Sequence, residues 1–357
     1  MIREYVLVPQ AYRVLFVACA LCIVLALFVY FWPVGPDWYY TFRPVTLAFL
    51  QGETQLFDEA SQGFYLAPWG VFLLAPLAML SIELGQAILC VITLLSLLLA
   101  VKVINDGYSP DILVICLAVM NLHTLAALLR GNMEGFLLLG LALGWWGLQE
   151  RKPLALGAGL WLLSVKPVNV TLPALLLLWG IRKWGHKEKA LVAMPLALTV
   201  LLSFVVFGLD WPLRYIESLR IAPPLVYLQT TVWRLLEVLK APEWVRTVAV
   251  FPAATAVGAA LAAITLEKPS VHTFALAQAV NLAVTPYALG GHYVLLAASF
   301  VTLGVTVCAQ NKKTMLAMWT LTLLPLARLW LGWNVAPIAA LYPMAMVALL
   351  LSGKEQV

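Results

Sequence analysis

The chain has 357 residues, of which 63% are hydrophobic and 11% charged, and its formal net charge is +5. At a mean hydropathy of +0.94, a water-soluble protein of this length could not hide its apolar surface, so the class is an all-α polytopic membrane protein. In such a chain the small positive charge is a topology signal rather than a nucleic-acid-binding patch, and membrane lipids, not nucleic acid, are the expected surroundings.

The first apolar run, residues 14–31, follows Arg3 and Arg13 and lacks a small-residue cleavage site, which predicts an uncleaved anchor. It empties into a long outer loop, residues 34–83. That loop opens with Gly35-Pro36-Asp37-Trp38-Tyr39-Tyr40 and carries further carboxylates at Asp58 and Glu59. Within it, residues 65–81 contain Pro68 and Pro76 and have no cation at either end. This pattern predicts an interfacial or re-entrant helix on the outer face rather than a crossing. Spans are then expected at 84–101, which Lys102 closes, at 112–128 and at 135–148.

The apolar run 154–181 is too long for one upright span and short for two. Lys166-Pro167 interrupts it, and proline removes a helix hydrogen bond there. Both flanks are basic, so two short helices meeting at Lys166 near the outer surface are expected, with a single kinked span as the alternative. Further spans are predicted at 189–207, 245–266, 272–286, 292–308, 314–330 and 335–351, with a second outer segment at 208–244 that carries Pro223-Pro224.

Short loops rich in Lys and Arg stay in the cytoplasm. Arg182-Lys183-Trp184-Gly185-His186-Lys187-Glu188-Lys189 is the clearest, with weaker examples at Arg151-Lys152, Glu267-Lys268, Lys312-Lys313 and Lys354. The map gives one integral membrane domain over residues 1–357, about twelve crossings and both termini cytoplasmic. The five cysteines all fall inside apolar runs and show neither metal spacing nor a disulfide framework. Asn169-Val170-Thr171 matches a glycosylation sequon but abuts apolar sequence on both sides.

Ionisable groups at membrane depth are costly and line a cavity or binding site. Arg130, Glu134, Lys166, His292 and Arg328 all fall at the outer height of the map. A lipid-linked phosphate held there would want such cations, since Arg grips phosphate oxygens in a fork and Lys supplies a point charge. Plainer readings stand beside this one. Arg130 and Glu134, four residues apart, can pair with each other, Arg328 can snorkel to the surface, and His123 and His292 can be structural. Asp37 after Gly-Pro can be turn chemistry, and the aromatic loop suits an interfacial belt as well as a sugar-stacking surface. No cluster calls for zinc.

The run from Gly35 to Leu80 resembles the first outer loop of the GT-C glycosyltransferases, in particular glycosyltransferase family 87, the polyprenyl-phosphate-mannose-dependent mannosyltransferases. The matching pieces are Asp37 with Tyr39-Tyr40, Phe49-Leu50-Gln51-Gly52, Phe64-Tyr65-Leu66-Ala67-Pro68 and Leu73-Leu74-Ala75-Pro76-Leu77. Further on, Arg130-Gly131-Asn132-Met133-Glu134-Gly135 takes the place of the family's Gly-Gln-x-Asn turn. Leu156 to Pro167 resembles its Gly-rich helix ending in Lys-Pro, and Thr285-Pro286 to His292 resembles its Ser-Pro-x-x-x-x-His turn. The resemblance implies a GT-C-like bundle of about 11–12 transmembrane helices with interfacial helices in the first outer loop.

It also implies an inverting transferase in a bacterial plasma membrane. The donor would be polyprenyl-phosphate-mannose or a similar lipid-linked sugar, and the acceptor a lipid or glycan. Asp37 would be the catalytic base. Lys166, Arg130, Arg328, His292, Tyr40, Asn132 and Glu134 would bind the substrate or its lipid phosphate, with no metal or cofactor. Two alternatives use the same residues differently: a transporter or flippase of a lipid-linked substrate, and a non-catalytic subunit of a membrane assembly.

Overall fold

The computed structural model describes residues 10–57, 64–221, 229–266, 269–308, 311–327, 330 and 332–352. Asp58, Glu59, Pro223-Pro224, Glu267-Lys268, Arg328 and Lys354 lie outside the described residues. Among those described there are helices and turns and no strand.

Helix α1, Gln10–Phe31, leads into a wide helical turn at Trp38–Phe42 that runs on as α2, Arg43–Leu50. Next come α3, Gly70–Ala78, and α4, Ile82–Ile104. They are followed by α5, Ile112–Val119, α6, Leu122–Arg130, and α7, Glu134–Gln149. Helices α8, Pro153–Leu163, and α9, Thr171–Gly180, flank a short 3-10 turn at Pro167–Asn169. The chain continues through α10, His186–Phe207, α11, Trp211–Ile221, α12, Val232–Val238, α13, Glu243–Val248, and α14, Val250–Leu266. Helix α15, Val271–Val284, precedes a 3-10 stretch at Gly290–Leu296 that feeds α16, Ala297–Thr306. Helix α17, Lys312–Leu321, and α18, Leu341–Ser352, close the fold.

Among the described residues, four helical stretches are long and apolar enough to cross a membrane: Ile82–Ile104, Ile112–Arg130, His186–Phe207 and Glu243–Leu266. Six shorter apolar helices stand beside them. Helix α10 turns Leu191, Met194, Leu198, Leu201, Leu202 and Val205 outward with nothing covering them. A continuous apolar face of that size belongs against lipid, and the chain is an integral membrane protein.

Several boundaries differ from the sequence expectation. The span expected at 112–128 is two helices. The Asn121 side chain accepts from the backbone N–H groups of His123 and Thr124, capping α6 and ending α5. The span expected at 314–330 stops as an α-helix at Leu321 and gives way to a 3-10 turn at Leu324–Ala327, where Pro325 has no N–H to continue the ladder. The span expected at 245–266 divides at Ala249, and those expected from 292 and 335 both begin as 3-10 stretches.

The break at Lys166-Pro167 does separate two short helices. Within residues 65–81 only Gly70–Ala78 is helical, and its Val71, Leu74, Leu77 and Ala78 are buried in a second apolar core with Trp38, Phe42 and Phe64. The described parts of residues 34–83 thus pack together as an apolar layer. Asn169 is fully buried (0% exposed), out of reach of a glycosylating enzyme.

Candidate active site

Asp37 is held in place by the backbone on both sides of it. The Gly35 N–H donates to Gln86 Oε1 at 2.6 Å, and Gln86 Nε2 donates to the Pro33 carbonyl at 2.9 Å. Trp38, wholly buried, donates its indole N–H to the Ile82 carbonyl at 2.9 Å. Trp32 donates to the Leu128 carbonyl at 3.3 Å. Segment 32–38 is therefore stitched to the first turn of α4 and the last turn of α6. Gly35 is required for this closeness, since a Cβ there would run into the Arg130 carbonyl group. Gly131 ends α6 at φ +65°, and a Cβ on it would lie 2.8 Å from the Trp38 Cβ.

These contacts bring Arg130 onto Asp37. Arg130 Nε donates to Oδ2 at 2.9 Å and Nη2 to Oδ1 at 2.7 Å, a two-pronged pairing. Asn132 Nδ2 donates to the same Oδ2 at 2.7 Å, while its own Oδ1 accepts from the Met133 N–H. The pair keeps a small opening to the outside, with side-chain exposures of 18% and 15%.

A second cluster sits deeper. Glu134 is 1% and Lys166 6% exposed, and His292 is sealed off. Lys166 Nζ lies 3.2 Å and His292 Nε2 3.4 Å from Glu134 Oε1, and the two nitrogens are 2.9 Å from each other. The Leu289 N–H donates to His292 Nδ1 at 3.1 Å, so the neutral ring carries its proton on Nε2. Two nitrogen donors thus converge on one carboxylate oxygen, while the buried Glu134 Oε2 has no hydrogen-bond partner among the described residues. An added oxygen-rich anion would give those donors acceptors of their own.

The two clusters share one neighbourhood. Tyr287 lies in the turn after α15, its ring 5.4 Å from that of His292 and 6.3 Å from that of Tyr65. Burial pushes the Tyr287 hydroxyl above its ordinary value; Asp37 pushes the same way, as Glu134 does, against the opposing pull of Arg130. The phenol stays protonated and able to donate a hydrogen bond.

Of the site residues expected from sequence, Asp37, Arg130 and Asn132 stand in one cluster and Glu134, Lys166 and His292 in the other. Arg130 pairs with Asp37 and Glu134 with Lys166, in place of the local Arg130–Glu134 pairing. Tyr40 is 75% exposed with its ring edge-on to Tyr39, and makes no contact with either cluster. Arg328 lies outside the described residues. His123 is a buried side chain whose Nδ1 bonds to the Gly290 carbonyl and whose ring packs on Tyr342 and Tyr293. Tyr65, Tyr287 and the positioning residue Gln86 stand beside these from outside the set of site residues expected from sequence. The Thr285-Pro286 turn was the available signal for Tyr287.

No protein-family model matches the chain, and no curated protein matches it. Among solved structures it is similar to ArnT from Cupriavidus metallidurans, in a crystal structure bound to undecaprenyl phosphate. The likeness covers 96% of this chain and 76% of that one at 16% sequence identity and a TM-score of 0.44. A likeness this distant carries no function across.

Proposed function

We propose that this chain is a membrane glycosyltransferase of the GT-C type, transferring a sugar from a polyprenyl-phosphate donor to an acceptor hydroxyl. The observation that carries the reading is a balanced set of four charges, Asp37 with Arg130 and Glu134 with Lys166, beside crowded N–H donors and with a narrow opening at Asp37. The resemblance of the first outer loop to glycosyltransferase family 87 supports mannose as the sugar. It also supports the outer face of a bacterial plasma membrane as the place of reaction, with both termini cytoplasmic.

In the resting site each cation is already neutralised by a carboxylate. A donor phosphate entering between Arg130 and Lys166 competes with Asp37 for the guanidinium. Asp37, freed on that side and still held by Asn132, then accepts the proton of the acceptor hydroxyl. The new C–O bond forms at the anomeric carbon as the bond to the phosphate oxygen breaks, with inversion. The bonding pair leaves on the phosphate, where the growing charge is met by Lys166 and Arg130 and by the His292 and Tyr287 donors.

The test is transfer from a radiolabelled lipid-phosphate sugar in proteoliposomes, with lipid translocation followed in parallel. Glycosylated product without net translocation, lost in Asp37→Asn, is expected. Translocation of the intact donor with no product sinks the proposal.

A further inference from the structure

Lys166 stands at a break where the chain cannot pair its own backbone. Pro167 has no N–H to continue α8, and Pro173 has none to give to the Asn169 carbonyl four residues before it. Leu172, in the first turn of α9, is among the N–H groups that a helix start leaves without an internal partner. Backbone groups of this kind need partners from elsewhere in the fold when they are buried.

Helix α15 supplies them. Gln278 and Asn281, three residues apart and so on one face, are both buried in an otherwise apolar stretch. The Leu172 N–H donates to Asn281 Oδ1 at 3.0 Å, and Asn281 Nδ2 donates to the Val168 carbonyl at 2.9 Å. Gln278 Nε2 donates to the Asn169 carbonyl at 3.3 Å. On the other flank the Ala67 N–H, from the first outer loop, donates to the Val165 carbonyl at 2.9 Å. Lys166 is therefore pinned on both sides, by the outer loop before it and by α15 after it.

The same helix sets the other half of the deeper cluster. The Asn281 carbonyl takes the Thr285 N–H at 3.0 Å, the last bond of α15 before the turn that carries Tyr287 and leads to His292. Every residue of α15 from Thr273 to Ala283 is buried, so this helix is a fixed reference. The Lys166 ammonium and the His292 ring, 2.9 Å apart, are both placed from it. We propose that Gln278 and Asn281 are positioning residues, holding turn 166–172 against α15 so that Lys166 meets the donor phosphate beside His292. The use made of Lys166 rests on the transferase reading, whereas its placement by the two amides does not. Amides that only stabilised the helix break would act on the fraction of folded protein, lowering kcat at an unchanged KM. Amides that place Lys166 act on the KM for the donor.

Two full-length variants test this. Asn281→Leu removes a donor and an acceptor. Gln278→Met removes one donor and, with it, the Gln278 Oε1 that has no hydrogen-bond partner, so it is the gentler change and should fold. The position of Lys166 is read directly, as its rate of acylation by a water-soluble amine reagent, followed by peptide mass spectrometry with the exposed Lys183 as reference. Labelling of Lys166 should quicken in both variants, more in Asn281→Leu. The KM for a polyprenyl-phosphate sugar should rise roughly ten-fold in Asn281→Leu, as a lost charge-assisted hydrogen bond to phosphate implies, with a smaller change in kcat. In a Lys166→Gln background the same substitutions should leave KM where Lys166→Gln alone puts it. Wild-type labelling of Lys166 in the folded variants, a kcat loss at wild-type KM, or additive effects with Lys166→Gln overturns the positioning role. A wild type that transfers no sugar sinks the transferase reading instead, and the labelling rates still decide whether the two amides place Lys166.

Discussion

Arg130 holds both carboxylate oxygens of Asp37, Nη2 to Oδ1 at 2.7 Å and Nε to Oδ2 at 2.9 Å, across 93 residues of chain. Both carboxylate oxygens stay engaged until something takes the guanidinium from them, and in the proposed mechanism donor binding is the event that does so.

Replacing Asp37 by Asn keeps the shape and the Asn132 neighbour while removing the base. Sugar transfer in proteoliposomes should fall by about 10²–10⁴-fold, the usual contribution of a positioned general base. Thermal unfolding in detergent should report a folded protein. Full activity in this variant would remove Asp37 from the mechanism.

Arg130→Lys is not a conservative change where a planar fork is used on two oxygens. Donor affinity should weaken, seen as a raised KM for the lipid donor with a smaller change in kcat. An unchanged KM would assign Arg130 to holding Asp37 alone.

Free polyprenyl phosphate, the expected product, should raise the unfolding temperature of the wild type. At a hundred times its Kd the gain is about 2.7 kcal/mol. Lys166→Gln should abolish most of that gain, because the phosphate loses its deeper contact. A shift of wild-type size in Lys166→Gln would place the phosphate elsewhere.

Glu134→Ala strands the Lys166 ammonium in a buried site. Breaking one side of a buried pair costs about 3–5 kcal/mol, readable from denaturant unfolding. Glu134→Gln with Lys166→Met should recover part of the loss, because no lone charge is left. Additive losses in the double variant would mean that the two side chains do not act as a pair.

The all-helical membrane class and the break at Lys166-Pro167 were legible in the sequence because each rests on local chemistry. Hydropathy sets the class, and a proline cannot continue a helix. The Asn121 break was not legible, because an asparagine inside an apolar run reads as a tolerated polar residue until its cap to His123 and Thr124 is seen. Arg130 and Lys166 could be named as candidates from their cost at membrane depth, and Asp37 from its place in a loop that resembles the first outer loop of the GT-C glycosyltransferases. Their partners could not, because spacing along a helix favours Arg130 with Glu134, whereas the folded chain supplies each with a remote counterion. Gln86 was hidden for the same reason. An amide one turn into a span has no meaning until the Gly35 backbone is found resting on it.

That Gly35–Gln86 anchor has a consequence for how such chains can change length. With Trp32 tied to Leu128 and Trp38 to Ile82, one added or deleted residue among 33–37 would slide the acid off its perch. Beyond Leu50, residues 51–55 are exposed, and their backbone bonds run only to one another, to Leu56 and to the end of α2 among the described residues. Relatives gathered in future should therefore show their insertions and deletions beyond Leu50, and keep an invariant count of residues between that first tryptophan and the second.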